Sequence, residues 1–355
     1  MEDGTLQLIQ KTVTSFNKQF GDDSAATLAA SFGPDQVKGF IPTGNLAIDW
    51  CIGRPGFPIG RVSEIAGPYS SGKSTILAQT IGLAQAQGVV CILFDTEHSY
   101  NETWAKLYKV QPDELILVKP EHLEQTFDQM IFIVNLIKKE RSTTPMFIAV
   151  DSISAVPASA ELAQEDSTEG KQRALHAKII SEGLRKLTNL IWDENIAVVF
   201  VSQMKDNPAA MFGGKSKLGG HAIEFHAALL LETKKLATKK KDSVKAEKDA
   251  GGEVVESAKA KTIGQIIQIQ CVKNKFVPPF RTRTFDLFFD EGIRPYEIAI
   301  DFMADKELLD WVRREKGWYV FDGVNHRKDE LASKLTPDVL ETIYETLKIR
   351  PKVIA

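Results

Sequence analysis

The chain has 355 residues, enough for one large α/β domain with appendages or for two domains. Acids and bases nearly cancel at a formal charge of −3, so no global field draws it to nucleic acid or membrane, and any polyanion contact has to come from local patches. Three isolated cysteines, Cys51, Cys91 and Cys271, lack metal-like spacing and read as buried thiols in a reducing compartment. The N-terminus has no signal-peptide pattern and no apolar run approaches the ~20 residues of a membrane span, so the expectation is a soluble, cytoplasmic protein with no membrane partner.

The first predicted element is an amphipathic helix carrying Leu6, Ile9, Val13, Phe16 and Phe20 on one face, stopped by Gly21-Asp-Asp-Ser24. An Ala-rich stretch, 24–30, follows with little to bury on its own. Periodicity leaves open whether this arm, 1–35, docks on its own core or on a neighbouring subunit.

From about 36 to 295 short apolar runs alternate with helical segments. Val89–Phe94, Leu115–Val118, Met146–Val150 and Ala197–Val201 are continuous runs, separated by helical patterns at 126–138 and 174–192. Such runs predict strands buried on both faces of a mostly parallel sheet, an α/β nucleotide-binding core.

Within that core, Gly67-Pro68-Tyr69-Ser70-Ser71-Gly72-Lys73-Ser74-Thr75 fits GxxxxGK[ST] between a strand-like and a helical segment. Backbone N–H groups of such a loop, opening on a helix N-terminus, cradle polyphosphate. Lys73 would reach the β- and γ-phosphates of ATP and Ser74 would hold Mg²⁺. Asp151 ends the run 146–150, where it can enter the Mg²⁺ shell through water. Phe94-Asp95-Thr96-Glu97-His98 ends another run, and a carboxylate there can polarise the attacking water. Glu97 is the expected general base; Asp95 either competes for that role or supports the strand end, and His98 reads as a hydrogen-bonded neighbour rather than a catalyst.

Residues 233–262 form a Lys/Ala/Glu/Gly insertion between strand-like runs, predicting a long, positively charged hairpin tip, with a solvated loop as the plainer reading. Beyond 295 the pattern predicts a small C-terminal domain, 296–355, with helices at 305–314 and 337–347 around a strand at 317–321.

Taken together, the phosphate loop, Phe94–His98, Val150-Asp-Ser152, Phe200-Val-Ser-Gln203, Met211-Phe-Gly213, Gly219-Gly220 and Val272-Lys-Asn-Lys275 occur in the order and spacing of the RecA recombinases, which this chain resembles over about 5–325. The resemblance implies a RecA-like P-loop ATPase core and a DNA-dependent ATPase. Such a protein forms helical filaments on single-stranded DNA, pairs it with homologous double-stranded DNA and catalyses strand exchange. It also implies that ATP lies between protomers, with Lys273 and Lys275 reaching the neighbour's γ-phosphate, Gln203 sensing that phosphate, and Trp104 stacking on adenine, Tyr108 being a less well placed substitute. DNA contacts are implied for Lys178 and Arg185 after a first loop, about 161–173. A second loop, about 204–221, supplies Lys205, Asn207, Pro208, Met211, Phe212, Gly213, Lys215, Gly219, Gly220 and His221. Residues 24–30 match a segment that adds to the neighbour's sheet. A single-strand-binding or loader protein is a further implied partner.

The chain departs from the family in its long insertion, in Asp206-Asn207-Pro208 within the second loop, and in lacking the acidic tail that restrains DNA access in bacterial RecA, which implies loading with less autoinhibition, as in a phage-encoded recombinase. A hexameric helicase would need an arginine finger in place of Val272–Lys275. A non-enzymatic mediator would not need Lys73, Glu97 and Asp151 intact.

Overall fold

A computed structural model describes residues 3–20, 37–140, 143–162, 169–206, 215–217, 222–240 and 261–349. By contacts the chain divides into two units, Met1–Val37 and Lys38–Ala355. In the first, helix α1 (Asp3–Phe20) forms where the amphipathic pattern predicts it, and Leu8, Ile9 and Phe16 are exposed on it. The Ala-rich stretch 24–30 lies outside the described residues.

The second unit opens with β1 (Phe40–Ile41), α2 (Leu46–Ile52) and β2 (Phe57–Pro58). Next come β3 (Val62–Gly67), α3 (Lys73–Ala86), β4 (Val90–Asp95), α4 (Glu102–Leu107), β5 (Leu115–Val118), α5 (Leu123–Glu140) and β6 (Met146–Asp151). The core closes with α6 (Ser159–Leu162), α7 (Glu169–Ile191), β7 (Ile196–Asp206), β8 (Lys215–Lys217), α8 (Ala222–His226), β9 (Leu229–Lys240), β10 (Thr262–Asn274), β11 (Thr282–Phe288), β12 (Gly292–Ile293) and α9 (Pro295–Met303). A three-stranded sheet of β13 (Arg313–Glu315), β14 (Trp318–Phe321) and β15 (Val324–His326) follows, then α10 (Lys328–Lys334) and α11 (Pro337–Thr346).

Among the described residues the main sheet runs β12-β11-β10-β9-β3-β7-β6-β4-β5, with β8 on β7. The strands from β9 to β5 are parallel, and β10, β11 and β12 continue the sheet antiparallel. Because successive side chains point to opposite faces, each parallel strand serves two cores. Ile65, Cys91, Phe147 and Val199 pack with α2 and α3, whereas Ile92, Phe94, Ile148 and Phe200 pack with α5 and α7. Each such buried side chain contributes about 1.5–3 kcal/mol, which is why the strands read as unbroken apolar runs. The three cysteines are buried and free, and burial pushes the Cys91 thiol up to about 12.

Three expectations change. No helix forms over 305–314: the Asp305 carboxylate accepts the Glu307 N–H, and its carbonyl accepts from Leu308, Leu309 and Asp310, whose φ is 49°. This side-chain competition with the backbone closes one turn, and the chain leaves as β13. The insertion at 233–262 is not all loop, since β9 runs to Lys240 and β10 starts at Thr262; only its centre, 241–260, lies outside the described residues. The two expected loops are also shorter: 161–173 is bracketed by α6 and α7, and 204–221 begins and continues as the β7–β8 hairpin, Met204 opposite Lys217.

The boundary expected near 296 falls within α9. Ile298, Ile300, Leu331 and Ile343 share one apolar cluster with the face of the main sheet covered by α2 and α3.

Candidate nucleotide site and nucleic-acid face

The site lies at the carboxyl ends of four adjacent strands, the usual ligand position in an open α/β sheet. Register sets Gly67 of β3 opposite Gln203 of β7, and Asp95 of β4 opposite Asp151 of β6.

From β3 the chain turns through the phosphate loop into α3. Ser70 and Gly72 have φ of 54° and 84°. A Cβ on Gly67 would lie 2.3 Å from Oγ1 of Thr233, so this position has room only for hydrogen. Ser71 Oγ donates to the Pro68 carbonyl at 2.7 Å, and the buried Lys73 ammonium donates to the same carbonyl at 2.7 Å. Burial lowers the Lys73 pKa, opposed by the charges of Asp151 and Glu97. Tyr69, within the loop, is exposed, and Thr75 is buried with its side chain hydrogen-bonded to Tyr108.

Ser74 is exposed to a cavity of about 350 Å³ lined also by Leu77, Glu97, Tyr100, Trp104 and Asp151. The Asp151 carboxylate is buried and pushed up to about 6, chiefly by desolvation, against a hydrogen bond from Ser74; Glu97 raises it further. Asp95 accepts the N–H groups of Ser99 and Tyr100 at 2.9 and 3.1 Å, a strand-end support, one of its two expected roles. Glu97 is exposed at the cavity mouth, and its Oε1 accepts from Ser152 Oγ at 2.6 Å and from Gln203 Nε2 at 2.5 Å. Gln203 is itself placed by its backbone N–H donating to Ser154 Oγ at 3.1 Å.

Sequence reasoning did not single out Ser152 or Thr96, whose hydroxyl donates to the Ser152 carbonyl at 2.7 Å. A small hydroxyl residue directly after the strand-end Asp151 was the available signal. Trp104 reaches the cavity, and Tyr108 lies buried against it with ring centroids 5.1 Å apart. Tyr108 therefore backs Trp104 and is not itself part of the cavity wall.

Among the described residues no cluster of three or more His, Cys, Asp or Glu side chains could hold a metal by itself. The Ser74 hydroxyl and the Asp151 carboxylate nevertheless fit a hard cation that arrives with phosphate and water ligands. Such a cation would offset the repulsion among Asp95, Glu97 and Asp151.

Lys273 and Lys275 stand apart from this cluster, and no hydrogen bond or ion pair in the described residues joins them to Lys73 or Glu97. The Lys273 ammonium donates to the carbonyls of Glu224 and Phe225 on α8, and burial lowers its pKa. Lys275 is exposed.

Of the residues expected to contact nucleic acid, Lys178 and Arg185 are exposed two turns apart on α7, hence on one helix face. Lys205 pairs its backbone with Ser216, and Lys215 with Asp206, in the β7–β8 hairpin. Asn207, Pro208, Met211, Phe212, Gly213, Gly219, Gly220 and His221 lie outside the described residues.

The family model described as the RecA N-terminal domain matches residues 7–294. Protein RecA of Treponema denticola is 30% identical over 354 residues, covering 99% of this chain and 77% of that protein. The mitochondrial DNA repair protein recA homolog of Dictyostelium discoideum is 30% identical over 354 residues, 98% of this chain and 71% of that one. Protein RecA of Geobacter metallireducens is 30% identical over 355 residues, covering 97% and 96% of the two chains.

Proposed function

The chain belongs to the RecA family, a DNA-dependent ATPase of recombination and repair, and on that premise we propose how its residues divide the work. The observation that carries the proposal is the meeting of Lys73, Ser74, Asp151, Glu97 and Gln203 around one cavity. Nucleotide phosphates lie along the loop 67–75, with the base against Trp104. Mg²⁺ would be held by Ser74 and, through water, by Asp151, where it would supply charge neutralisation at the phosphates. Glu97 orients and deprotonates the attacking water. Gln203 holds Glu97 through its amide until a γ-phosphate competes for that amide, so nucleotide state reaches β7 and the loop beyond it. Lys273 and Lys275, which make no hydrogen bond or ion pair to Glu97 among the described residues, serve the site of the next protomer by stabilising transition-state charge.

Assembly into helical filaments on single-stranded DNA follows from the same division of the site between protomers. The edge strand β5 and the neighbouring face of α5 expose Ile116, Phe132 and Leu136. An open edge flanked by apolar side chains suits an added strand, and 24–30 is the segment we assign to it. Lys178, Arg185, Lys205 and Lys215 neutralise the DNA backbone, with homology read by base pairing during exchange with a duplex. We retain 1–35, 36–295 and 296–355 as functional divisions and a single-strand-binding or loader protein as partner. No helix in the described residues is long and apolar enough to cross a membrane, and we place the protein in the cytoplasm.

The test is ATP turnover with and without single-stranded DNA, the same samples being imaged by electron microscopy. Stimulated turnover with open helical filaments supports the reading. Closed rings, or turnover indifferent to DNA, refute it.

A further inference from the structure

Thr233 is buried at the root of the charged hairpin and touches the phosphate loop. Its Oγ1 lies 2.7 Å from Ser71 Oγ and 3.4 Å from the Ala66 carbonyl. Each hydroxyl has a single hydrogen. Ser71 directs its own to the Pro68 carbonyl at 2.7 Å, and Thr233 then donates to Ser71 at 2.7 Å in preference to the longer 3.4 Å contact with the Ala66 carbonyl. A chain therefore runs from Thr233 through Ser71 to the Pro68 carbonyl, where the Lys73 ammonium also ends. For Lys73 to reach a phosphate it must release that carbonyl, and the Ser71 hydroxyl, held by Thr233, is what keeps the carbonyl satisfied afterwards. The absence of room for a Cβ on Gly67 beside Thr233 shows how closely the strand and the loop approach.

Strand β9 makes this contact more than local. Its first residues pair with β3, Ser63 opposite Leu229 through Ala66 opposite Glu232. From Thr233 onward its described partner is β10 alone, and the exposed Lys234, Lys235 and Lys240 follow directly. One strand thus carries a cationic surface and a hydroxyl fixed to the phosphate loop.

We propose that Thr233 is a positioning residue of the phosphate loop, acting through Ser71, and that it makes nucleotide affinity respond to polyanion bound along β9. The inference rests on the nucleotide and DNA reading above. Thr233→Val keeps the shape and removes the hydroxyl, and Thr233→Ser keeps the hydroxyl. The experiment compares wild type and both variants by equilibrium binding of a fluorescent ATP analogue with Mg²⁺, with and without poly(dT), and by steady-state ATP turnover. Loss of one hydrogen bond at the loop should weaken analogue binding and raise KM about fivefold, with kcat within about twofold of wild type. It should also reduce the gain in affinity that poly(dT) gives wild type, the part relayed through Gln203 remaining, and Thr233→Ser should restore both. Wild type that binds no analogue would overturn the nucleotide reading and this inference with it. Wild type that binds, with Thr233→Val binding equally, with a fall in kcat alone, with no poly(dT) response to lose, or with no rescue by Thr233→Ser, would overturn this inference and leave the nucleotide reading standing.

Discussion

The side-chain amide of Gln203 donates to Glu97 Oε1 at 2.5 Å, tying the group that would activate water to the strand that leads into the β7–β8 hairpin. Ser152 donates to the same oxygen at 2.6 Å, so one carboxylate oxygen is held from two strand ends. Glu97→Gln keeps the size of the side chain and removes the base. Turnover should fall about 10²–10⁴-fold while ATP analogue binding stays near that of wild type, as single-turnover and binding assays would show together.

Gln203→Ala frees Glu97 from one of its two donors and removes the amide that a γ-phosphate would compete for. Its basal turnover should persist, whereas stimulation by single-stranded DNA should drop about tenfold, the order expected of a coupling of 1–2 kcal/mol. Stimulation equal to wild type would remove Gln203 from the relay.

The reading proposed above assigns Lys73 to the nucleotide of its own protomer and the pair Lys273 and Lys275 to that of the neighbour. Lys73→Ala and the double variant Lys273→Ala/Lys275→Ala should each be inactive as pure proteins. Mixed in equal amounts, they should regain about a quarter of wild-type turnover, because a head-to-tail interface combines one face from each neighbour. Zero recovery in filaments that contain both proteins would place the lysines in the same functional unit as Lys73.

Asp49 is buried, accepting from Thr43 Oγ1 at 2.7 Å and from Tyr344 Oη at 2.9 Å, and burial pushes its carboxyl up to about 7. A raised carboxyl contributes stability that is fully present below its ordinary value of 3.8 and is lost as pH rises through about 7. Thermal melts of wild type should therefore weaken from pH 5 to about pH 8 relative to Asp49→Asn, which cannot ionise. Parallel melting curves for the two proteins across that range would contradict the assignment.

Gly67→Ala drives a methyl group into Thr233, 2.3 Å from its hydroxyl and 2.6 Å from its carbonyl oxygen. Overpacking of this kind costs about 1–3 kcal/mol, and here it falls on the phosphate loop. Nucleotide binding should be lost before the fold is, measured by analogue titration alongside circular dichroism.

What the sequence determined by itself was local. The phosphate loop is legible because nine consecutive residues carry its geometry, and the parallel strands because burial on both faces leaves unbroken apolar runs. Asp95, Glu97 and Asp151 could be named because each sits at or just past the end of such a run, whereas Gln203 was marked only by the resemblance to the RecA recombinases. The helix expected at 305–314 was misread for a local reason too: the Asp305 side chain and carbonyl capture the next turn, an outcome that apolar spacing does not encode. Tertiary structure alone decided which of these ends meet. β7 and β6 enter the sheet between β3 and β4, and this order brings Gln203 onto Glu97 across 106 positions. The same sheet brings Thr233 onto Ser71 across 162 positions, and C-terminal packing sets Tyr344 against Asp49 across 295. Hydrogen bonds between residues so far apart leave no periodic trace in the chain, because they are fixed by strand order and packing, and those are settled by the burial of the whole sheet.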